Sequence, residues 1–97
     1  MRHEIVLAPE AVDDLRNLPA HHRSWVRDEI GRHLRHEPEK VSKSSIKKLR
    51  GLRRPQYRLR IGDIRVFYDV VGQQVEVLAV VPKSGVKEWL SEEGEKS

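Results

Sequence analysis

A single stretch decides the fold: YRLRIGDIRVFY, residues 57–68. Apolar and basic side chains alternate from Tyr57 to Ile61, and this period of two is typical of a strand with one buried face. Gly62-Asp63 follows, and glycine in the first place suits a two-residue type II′ turn. Because a second alternating run returns over residues 64–71, the stretch predicts a β-hairpin.

The two-residue turn also fixes which residues face each other across the hairpin. The expected pairs are Ile61 with Ile64, Arg60 with Arg65, Leu59 with Val66, Arg58 with Phe67, and Tyr57 with Tyr68. The apolar members then share one face of the sheet. The three arginines and Phe67 share the other, which is expected to point away from the helices.

Two amphipathic helices are predicted upstream of the hairpin. The first follows a short β-like run at residues 3–7 and ends at Pro19. The second runs from His21 to about Glu37, where Pro38 closes it. The apolar positions expected to face the core are Val12, Leu15 and Leu18 in the first helix and Trp25, Val26, Ile30 and Leu34 in the second.

Downstream of the hairpin, residues 75–81 predict a central strand, because the run becomes apolar on both faces toward its end. Residues 83–90 are expected to form a short helix or loop, and residues 91–97 a mobile polar tail. The order β-α-α-β-β-β predicts one α+β domain over residues 1–97. Its two N-terminal helices are expected on one face of a small, mainly antiparallel sheet.

Composition narrows the class of protein. The 97 residues are 37% hydrophobic and 35% charged, which is too polar for a membrane protein but sufficiently patterned for a globular one. Cysteine is absent from the sequence, so disulfides and thiolate metal sites are excluded. With no signal-peptide pattern at the N-terminus, we expect a cytoplasmic protein.

The positive charge is concentrated in one part of the chain. The net charge is +4, but residues 43–65 hold nine lysines and arginines against the single acid Asp63. These cations are Lys43, Lys47, Lys48, Arg50, Arg53, Arg54, Arg58, Arg60 and Arg65. Such a concentration favours a polyanion as ligand, and RNA in particular.

The arginine pair on the hairpin strengthens this interpretation. Like charges directly opposite each other destabilise a sheet by about 0.2–1 kcal/mol, so Arg60 against Arg65 needs a compensating partner. A phosphate bound by Arg58, Arg60 and Arg65 would supply one, since guanidinium groups bind phosphate oxygens in pairs. The alternative is a solvated face on which Asp69 or Glu76 acts as counter-ion.

Further residues are candidates for holding nucleic acid. Lys47, Lys48, Arg50, Arg53 and Arg54 are expected to follow a phosphate backbone, and Phe67 and Trp89 to stack on unpaired bases. Trp89 could equally cover the sheet as part of the core. The histidines read as surface residues of the helices rather than metal ligands; they are His3, His21, His22, His33 and His36.

One family shares this combination of segments. APEA at residues 8–11, LRGL at residues 49–52 and the hairpin at residues 57–68 resemble the RelE/ParE superfamily of bacterial toxins. The resemblance extends over nearly the whole chain. It implies a RelE-like fold and the toxin half of a toxin–antitoxin system. RelE-branch toxins cut mRNA in the ribosomal A site, whereas ParE-branch toxins poison DNA gyrase.

The resemblance also implies site residues. The functional cations of RelE-like proteins match Arg58, Arg60, Arg65 and Lys83, and Trp89 stands where the family has a tyrosine. An indole can stack on a base but cannot exchange a proton as a phenol can. Lys83 is therefore our candidate proton donor or acceptor, because arginine does not readily lose its proton in proteins.

We therefore expect a ribosome-dependent mRNA endonuclease that works without a metal or other cofactor. Its expected partners are an acidic, partly disordered antitoxin, mRNA and the ribosome, with operator DNA contacted only through the antitoxin and no membrane involved. Two alternatives stay open. One is a gyrase-inhibiting binding module, and the other is a catalytically weakened toxin that mainly binds its antitoxin.

Overall fold

The structure, a computed structural model, describes residues 2–96. In chain order its elements are β1 (Glu4–Leu7), α1 (Pro9–Arg16), α2 (Ala20–Leu34), β2 (Ile46–Lys48), β3 (Leu52–Arg54), β4 (Tyr57–Ile61), β5 (Ile64–Val71), β6 (Gln74–Pro82), a 3-10 turn (Lys83–Gly85), α3 (Val86–Glu93) and β7 (Glu95–Lys96). The predicted order β-α-α-β-β-β is therefore present. The short strands β2, β3 and β7 are additional to it.

The strands form a main sheet and a small side sheet. The main sheet has the order β1-β6-β5-β4-β2, and β3 pairs with β7 in a separate two-stranded sheet. β1 runs parallel to β6, whereas the other pairings of the main sheet are antiparallel. The prediction of an α+β fold with a mainly antiparallel sheet is confirmed.

The β4–β5 hairpin has the predicted register. Ile61 lies opposite Ile64, Arg60 opposite Arg65 and Tyr57 opposite Tyr68. Gly62 has a φ of 55°, and no residue other than glycine has a positive φ in the described part of the chain. A positive φ at the first turn residue alone is what a type II′ turn requires, so the predicted turn is confirmed.

The first two helices cover one face of the main sheet. Buried side chains of α1, α2 and the sheet form the larger core: Ala11, Leu15, Val26, Ile30, Leu34, Ile46, Tyr57, Leu59, Ile61, Val66, Tyr68, Val75, Val77 and Val80. Inside it, the rings of Tyr57 and Tyr68 stack with centroids 5.5 Å apart. The strict alternation of the hairpin thus positions one face for the helices.

Two predictions for α2 were wrong in detail. The helix ends at Leu34 rather than near Glu37. Trp25 is not a core residue, because 45% of its surface is exposed. It directly precedes Val26, and one residue turns a helix by about 100°. The indole therefore lies at the margin of the buried stripe, against the backbone of Gly62 in the hairpin turn.

A bulge in β6 builds a second core on the opposite face. Phe67 lies opposite Ala79, but the next residue, Tyr68, lies opposite Val77, so Leu78 is the extra residue. The bulge reverses which face the following side chains occupy. Ala79 and Val81 consequently join Phe67 in a second cluster, against which Leu49, Val86, Trp89 and Leu90 pack.

The C-terminal segment lies over this second face. The expected helix is α3, and it extends through Glu93, beyond residue 90. Within the predicted tail, Glu95 and Lys96 form β7, while Ser97 lies outside the described residues. The mobility of residues 91–97 stays a prediction. α3 thus makes the arginine side of the sheet a partly covered face, which the hairpin pattern alone did not indicate.

Among residues 2–96, each helix falls short of the length and apolar character that crossing a membrane requires.

Candidate nucleic-acid interface

The three arginines of the hairpin lie on the face that α3 partly covers. Arg60 pairs with Arg65, and Arg58 pairs with Phe67, as predicted. Their surroundings differ: Arg60 is exposed, Arg58 is half-buried, and Arg65 is only 7% exposed. The face was expected to be open, and this expectation was wrong for Arg65. We call Arg58, Arg60 and Arg65 the arginine cluster.

Arg65 is held in place by the hairpin turn. Its Nη1 donates to the backbone oxygen of Gly62 at 2.7 Å and to that of Ile64 at 3.1 Å. These contacts use neutral carbonyl groups, so the charge of the guanidinium is not neutralised. The turn therefore fixes the position of a cation at the end of β4 and β5.

Arg58 has the least favourable surroundings for a cation. Its Nε is buried and has no hydrogen-bond partner among residues 2–96. Burial, followed by repulsion from Arg65 and Arg60, lowers the pKa of Arg58. A site in which the protonated form is disfavoured by its neighbours is one that an anion would stabilise.

The acids that could have neutralised the cluster are paired elsewhere. Asp69 and Glu76 lie opposite each other on β5 and β6. Arg54 bridges them, with Nε 2.8 Å from Asp69 Oδ2 and Nη2 2.7 Å from Glu76 Oε1. Within residues 2–96, no carboxylate lies in ion-pair distance of Arg58, Arg60 or Arg65. Asp69 and Glu76 therefore do not act as counter-ions of the cluster, and its role as a binding site stays a prediction.

The connector between α2 and β4 holds two kinds of cation. Arg53 Nη2 lies 2.6 Å from Glu95 Oε1, and Arg54 makes the bridge just described. Lys47, Lys48 and Arg50 are exposed, and no ion pair involving them is present in the described part of the chain. Arg53 and Arg54 were expected to follow a phosphate backbone. Because their guanidiniums are already held by carboxylates, we leave both out of the interface.

The two aromatic candidates are used inside the protein. The rings of Phe67 and Trp89 stack with centroids 4.8 Å apart and an interplanar angle of 8°. Phe67 is fully buried, so it was wrongly placed on a surface for base stacking. Trp89 is half-buried above it and corresponds to the alternative, a cover over the sheet. Both rings belong to the second core, in which Phe67 is buried and Trp89 covers it.

Lys83 lies at the same end of the sheet as Arg65. Its backbone N–H donates to the oxygen of Asp63 at 2.7 Å, which ties the residue to the hairpin turn, and it is exposed. Its placement beside the turn is compatible with a role at the cluster. Within residues 2–96, no hydrogen bond or ion pair joins its side chain to the arginines, so its part in proton transfer stays a prediction.

The buried Tyr68 and three of the histidines lie on the other side of the sheet. The hydroxyl of Tyr68 is buried and donates to the oxygen of Pro38 at 2.6 Å, and burial raises the pKa of this tyrosine. His21, His22 and His33 lie on α2, which packs against the opposite face of the sheet. In residues 2–96, no three histidine, cysteine or acidic side chains converge in a way that could hold a metal ion.

With this geometry in place, comparison with known proteins identifies the family. The chain matches the family model described as ParE toxin of type II toxin-antitoxin system, parDE, over residues 5–85. The chain belongs to this toxin family. The resemblance inferred from the hairpin and its flanking segments is therefore confirmed, and the protein is a toxin of the RelE/ParE kind. No curated protein sequence matches it.

Solved structures of RelE toxins have the same fold. The archaeal RelE–RelB complex from Pyrococcus horikoshii is 28% identical with a TM-score of 0.69, covering 86% of this chain and 97% of that one. The RelBE2 toxin–antitoxin complex from Mycobacterium tuberculosis is 25% identical with a TM-score of 0.67, covering 84% and 99%.

A free toxin adds a third comparison, which bears on the fold alone. A mutant of Escherichia coli RelE in the free state is 23% identical with a TM-score of 0.69 and covers 95% of this chain and 94% of that one. The RelE-like arrangement of helices and sheet is thus shared with a toxin that has no antitoxin bound.

Proposed function

We propose that this toxin cleaves mRNA at the ribosome, with the arginine cluster binding the phosphate at the cut. One observation carries the proposal: Arg58, Arg60 and Arg65 share one face of the sheet, and no carboxylate in residues 2–96 neutralises them. A phosphate is a suitable anion for such a cluster, because each guanidinium can donate two hydrogen bonds to its oxygens.

The chemistry needs no metal. The ribose 2′-oxygen attacks the adjacent phosphorus and forms a new P–O bond, while the bond from phosphorus to the 5′-oxygen of the next nucleotide breaks. The 2′-hydroxyl loses a proton to a base, and the leaving oxygen gains one from an acid. Negative charge on the phosphate oxygens grows in the transition state, and fixed guanidiniums stabilise it.

The residues have distinct parts in this proposal. Arg65, fixed by the turn, and Arg58, half-buried, hold the phosphate, while the exposed Arg60 completes the clamp. Lys83 transfers a proton at the hairpin end. The ribosome orients the RNA backbone, which is worth several orders of magnitude in rate when the reacting atoms are correctly aligned.

The proposed partners follow from the family. The similar structures from Pyrococcus horikoshii and Mycobacterium tuberculosis are complexes of a toxin with an antitoxin. We expect this chain to bind an acidic, partly disordered antitoxin in the cytoplasm, and to contact operator DNA only through it. Acidic segments would complement a chain with a net charge of +4.

The test is to express wild-type toxin and the Arg60→Ala variant in bacteria and to map mRNA 5′ ends. Arg60 is exposed, so the variant removes a charge without opening the core. We expect codon-phased cuts with the wild type and at least about a tenfold loss with the variant, as for loss of one transition-state contact. Arg27→Ala, which removes an exposed arginine from α2, is the matched control. Equal cutting by Arg60→Ala would contradict the proposed site.

A second candidate function has one specific observation in its favour. The matching family model is the ParE toxin model, and ParE-branch toxins inhibit DNA gyrase. On this account the cationic face binds the enzyme or its DNA without cutting RNA. Plasmid supercoiling measured in the same cells separates the two: gyrase-dependent DNA damage with intact mRNA would favour the second candidate and reject the first.

A further inference from the structure

The edge of the sheet beside the arginine cluster contains a cavity of about 700 Å³. Its lining is Val41, Lys47, Lys48, Leu49, Arg50 and Gly51. Cations and apolar side chains thus occur together in a space of the size that small ligands occupy in proteins. We call this the β2-edge cavity.

The charges of the β2-edge cavity are available to a ligand. Lys47, Lys48 and Arg50 are exposed, and no carboxylate pairs with them in residues 2–96. Arg53, only a few residues further along the chain, is instead paired with Glu95. The cavity therefore holds the unpaired part of the connector's charge.

The apolar part of the cavity is unusual for a charged surface. Val41 is 57% exposed, and few other large apolar side chains among the described residues are exposed to this extent. Leu49 is half-buried at the margin of the second core. A nucleobase is a flat, largely apolar group that would cover such side chains while its phosphate binds the cations.

The cavity continues directly from the arginine cluster. Lys47 lies opposite Arg58 in the β2–β4 pairing, and neighbouring strands are about 4.8 Å apart. A strand of RNA whose phosphate binds Arg58 can therefore place its next nucleotide at Lys47 without leaving the protein surface.

The outer edge of β2 is partly closed to an added peptide strand. The oxygen of Ile46 accepts from the backbone N–H of Ser42 at 2.9 Å, and the N–H of Ile46 donates to Ser42 Oγ at 3.2 Å. These are the groups through which an added strand would pair. Ser42 already satisfies them at Ile46, so pairing with an added strand is blocked at the start of β2.

We infer that the β2-edge cavity is a nucleotide subsite, which binds a nucleotide of the RNA next to the one held by the arginine cluster. Lys47, which shares the face of Arg58, binds its phosphate, and Lys48 and Arg50 bind it from the other side of the strand edge. Val41 and Leu49 contact its base. The inference rests on the proposed function, since it extends the same RNA across the edge of the sheet.

The test measures binding of a fluorescent single-stranded RNA decamer at several salt concentrations from about 50 mM, where phosphate contacts are strong. Each lost contact lowers the slope of log K against log salt by about 0.7. We expect this loss for Lys47→Ala and for Lys48→Ala. Arg53→Ala, which removes the same charge from a paired residue nearby, should leave the slope nearly unchanged.

The apolar contact has its own signature. Val41→Ser removes about 30 Å² of apolar contact and should weaken binding about threefold, with no change in salt slope because no charge is lost. Unchanged affinity of Val41→Ser at a fixed salt concentration would contradict the role of Val41.

The outcomes separate this inference from the proposed function. If Arg58→Ala weakens binding while the Lys47, Lys48 and Val41 variants bind as the wild type does, the subsite is wrong and the proposed function stands. If wild-type toxin fails to bind the decamer at about 50 mM salt, the subsite is wrong, whereas the proposed function is still decided by the mRNA 5′ ends mapped in cells. If the lysine variants keep RNA binding but lose an acidic antitoxin, the cavity is a protein-binding site and the inference is overturned.

Discussion

Two pairs of like charges face each other across the strands of the same sheet, and the protein treats them differently. Asp69 lies opposite Glu76, and Arg60 lies opposite Arg65. Arg54 bridges the acidic pair with contacts of 2.8 and 2.7 Å. No side chain in the described residues bridges the basic pair with an opposite charge. One repulsion is resolved inside the protein, and the other is not resolved among the described residues, which is why we propose an external anion.

The comparison shows why a count of charges is a poor guide to a binding surface. Arg54 and Arg60 are six positions apart in a segment rich in cations, yet only one has its charge free. Arg54 stabilises the protein, whereas Arg60 is available to a ligand. Pairing, rather than density of charge, therefore distinguishes structural arginines from candidate functional ones.

Removing Arg54 should have the largest effect on stability. Arg54→Ala would leave Asp69, which is 5% exposed, without its ion-pair partner and beside Glu76. We expect a loss of about 2–3 kcal/mol in the free energy of unfolding, somewhat below the cost of breaking a fully buried pair. Urea unfolding measures it. Arg53→Ala breaks only an exposed pair and should cost at most about 1 kcal/mol; equal losses for the two variants would remove the distinction drawn here.

Removing Trp89, which covers the second core, should have the second-largest effect on stability. Trp89→Ala uncovers Phe67, with which its ring stacks at 4.8 Å, and should destabilise the protein by about 2 kcal/mol, since the indole is half-buried. Trp25→Ala is the control, because that indole is 45% exposed. Thermal unfolding of both variants gives the comparison. A smaller cost for Trp89 than for Trp25 would contradict the role of the second core.

A substitution in the hairpin turn that holds Arg65 should have a smaller effect on stability. A methyl group at Gly62 would lie 2.8 Å from Trp25 Cη2, in a residue whose φ is 55°. Gly72 has a φ of 60° but no atom near such a methyl group. Gly62→Ala should therefore cost about 1–2 kcal/mol, and more than Gly72→Ala, in which only backbone strain is added. Identical unfolding free energies would show that the Trp25 contact does not constrain the turn.

The basic pair should give the smallest effect, and one of opposite sign. Arg60→Ala relieves the repulsion with Arg65 and should raise the free energy of unfolding by about 0.2–1 kcal/mol at low salt. The gain should shrink as salt screens the charges. Denaturant unfolding at two salt concentrations measures it. A clear loss of stability would mean that Arg60 has an internal partner, and the cluster would then be structural.

The hairpin shows how much of the strand pairing can be predicted from the sequence alone. A two-residue turn allows one register, so the pairing of Arg60 with Arg65 and the shared face of the arginines followed from residues 57–68. A two-residue turn at Gly72 and Gln73 pairs Asp69 with Glu76 in the same way, but the strand was predicted to begin only at residue 75. The bridge by Arg54 could not be foreseen, because Arg54 reaches these acids from a different strand.

The bulge at Leu78 explains the errors on the arginine side of the sheet. Alternation along residues 75–81 does not reveal where one extra residue is inserted, so the change of face between Val77 and Ala79 was not predictable. Without that change, no second core is apparent. Phe67 therefore seemed to be a surface residue, and α3 had no predicted surface on which to pack.

The most direct test of the central claim follows the arginine Nε–H signals by NMR during titration with single-stranded RNA. Signals of Arg58, Arg60 and Arg65 should shift together as their guanidiniums bind phosphate, while that of Arg54, held by Asp69 at 2.8 Å, should stay in place. Shifts confined to Arg53 and Arg54, with the cluster unchanged, would contradict the account.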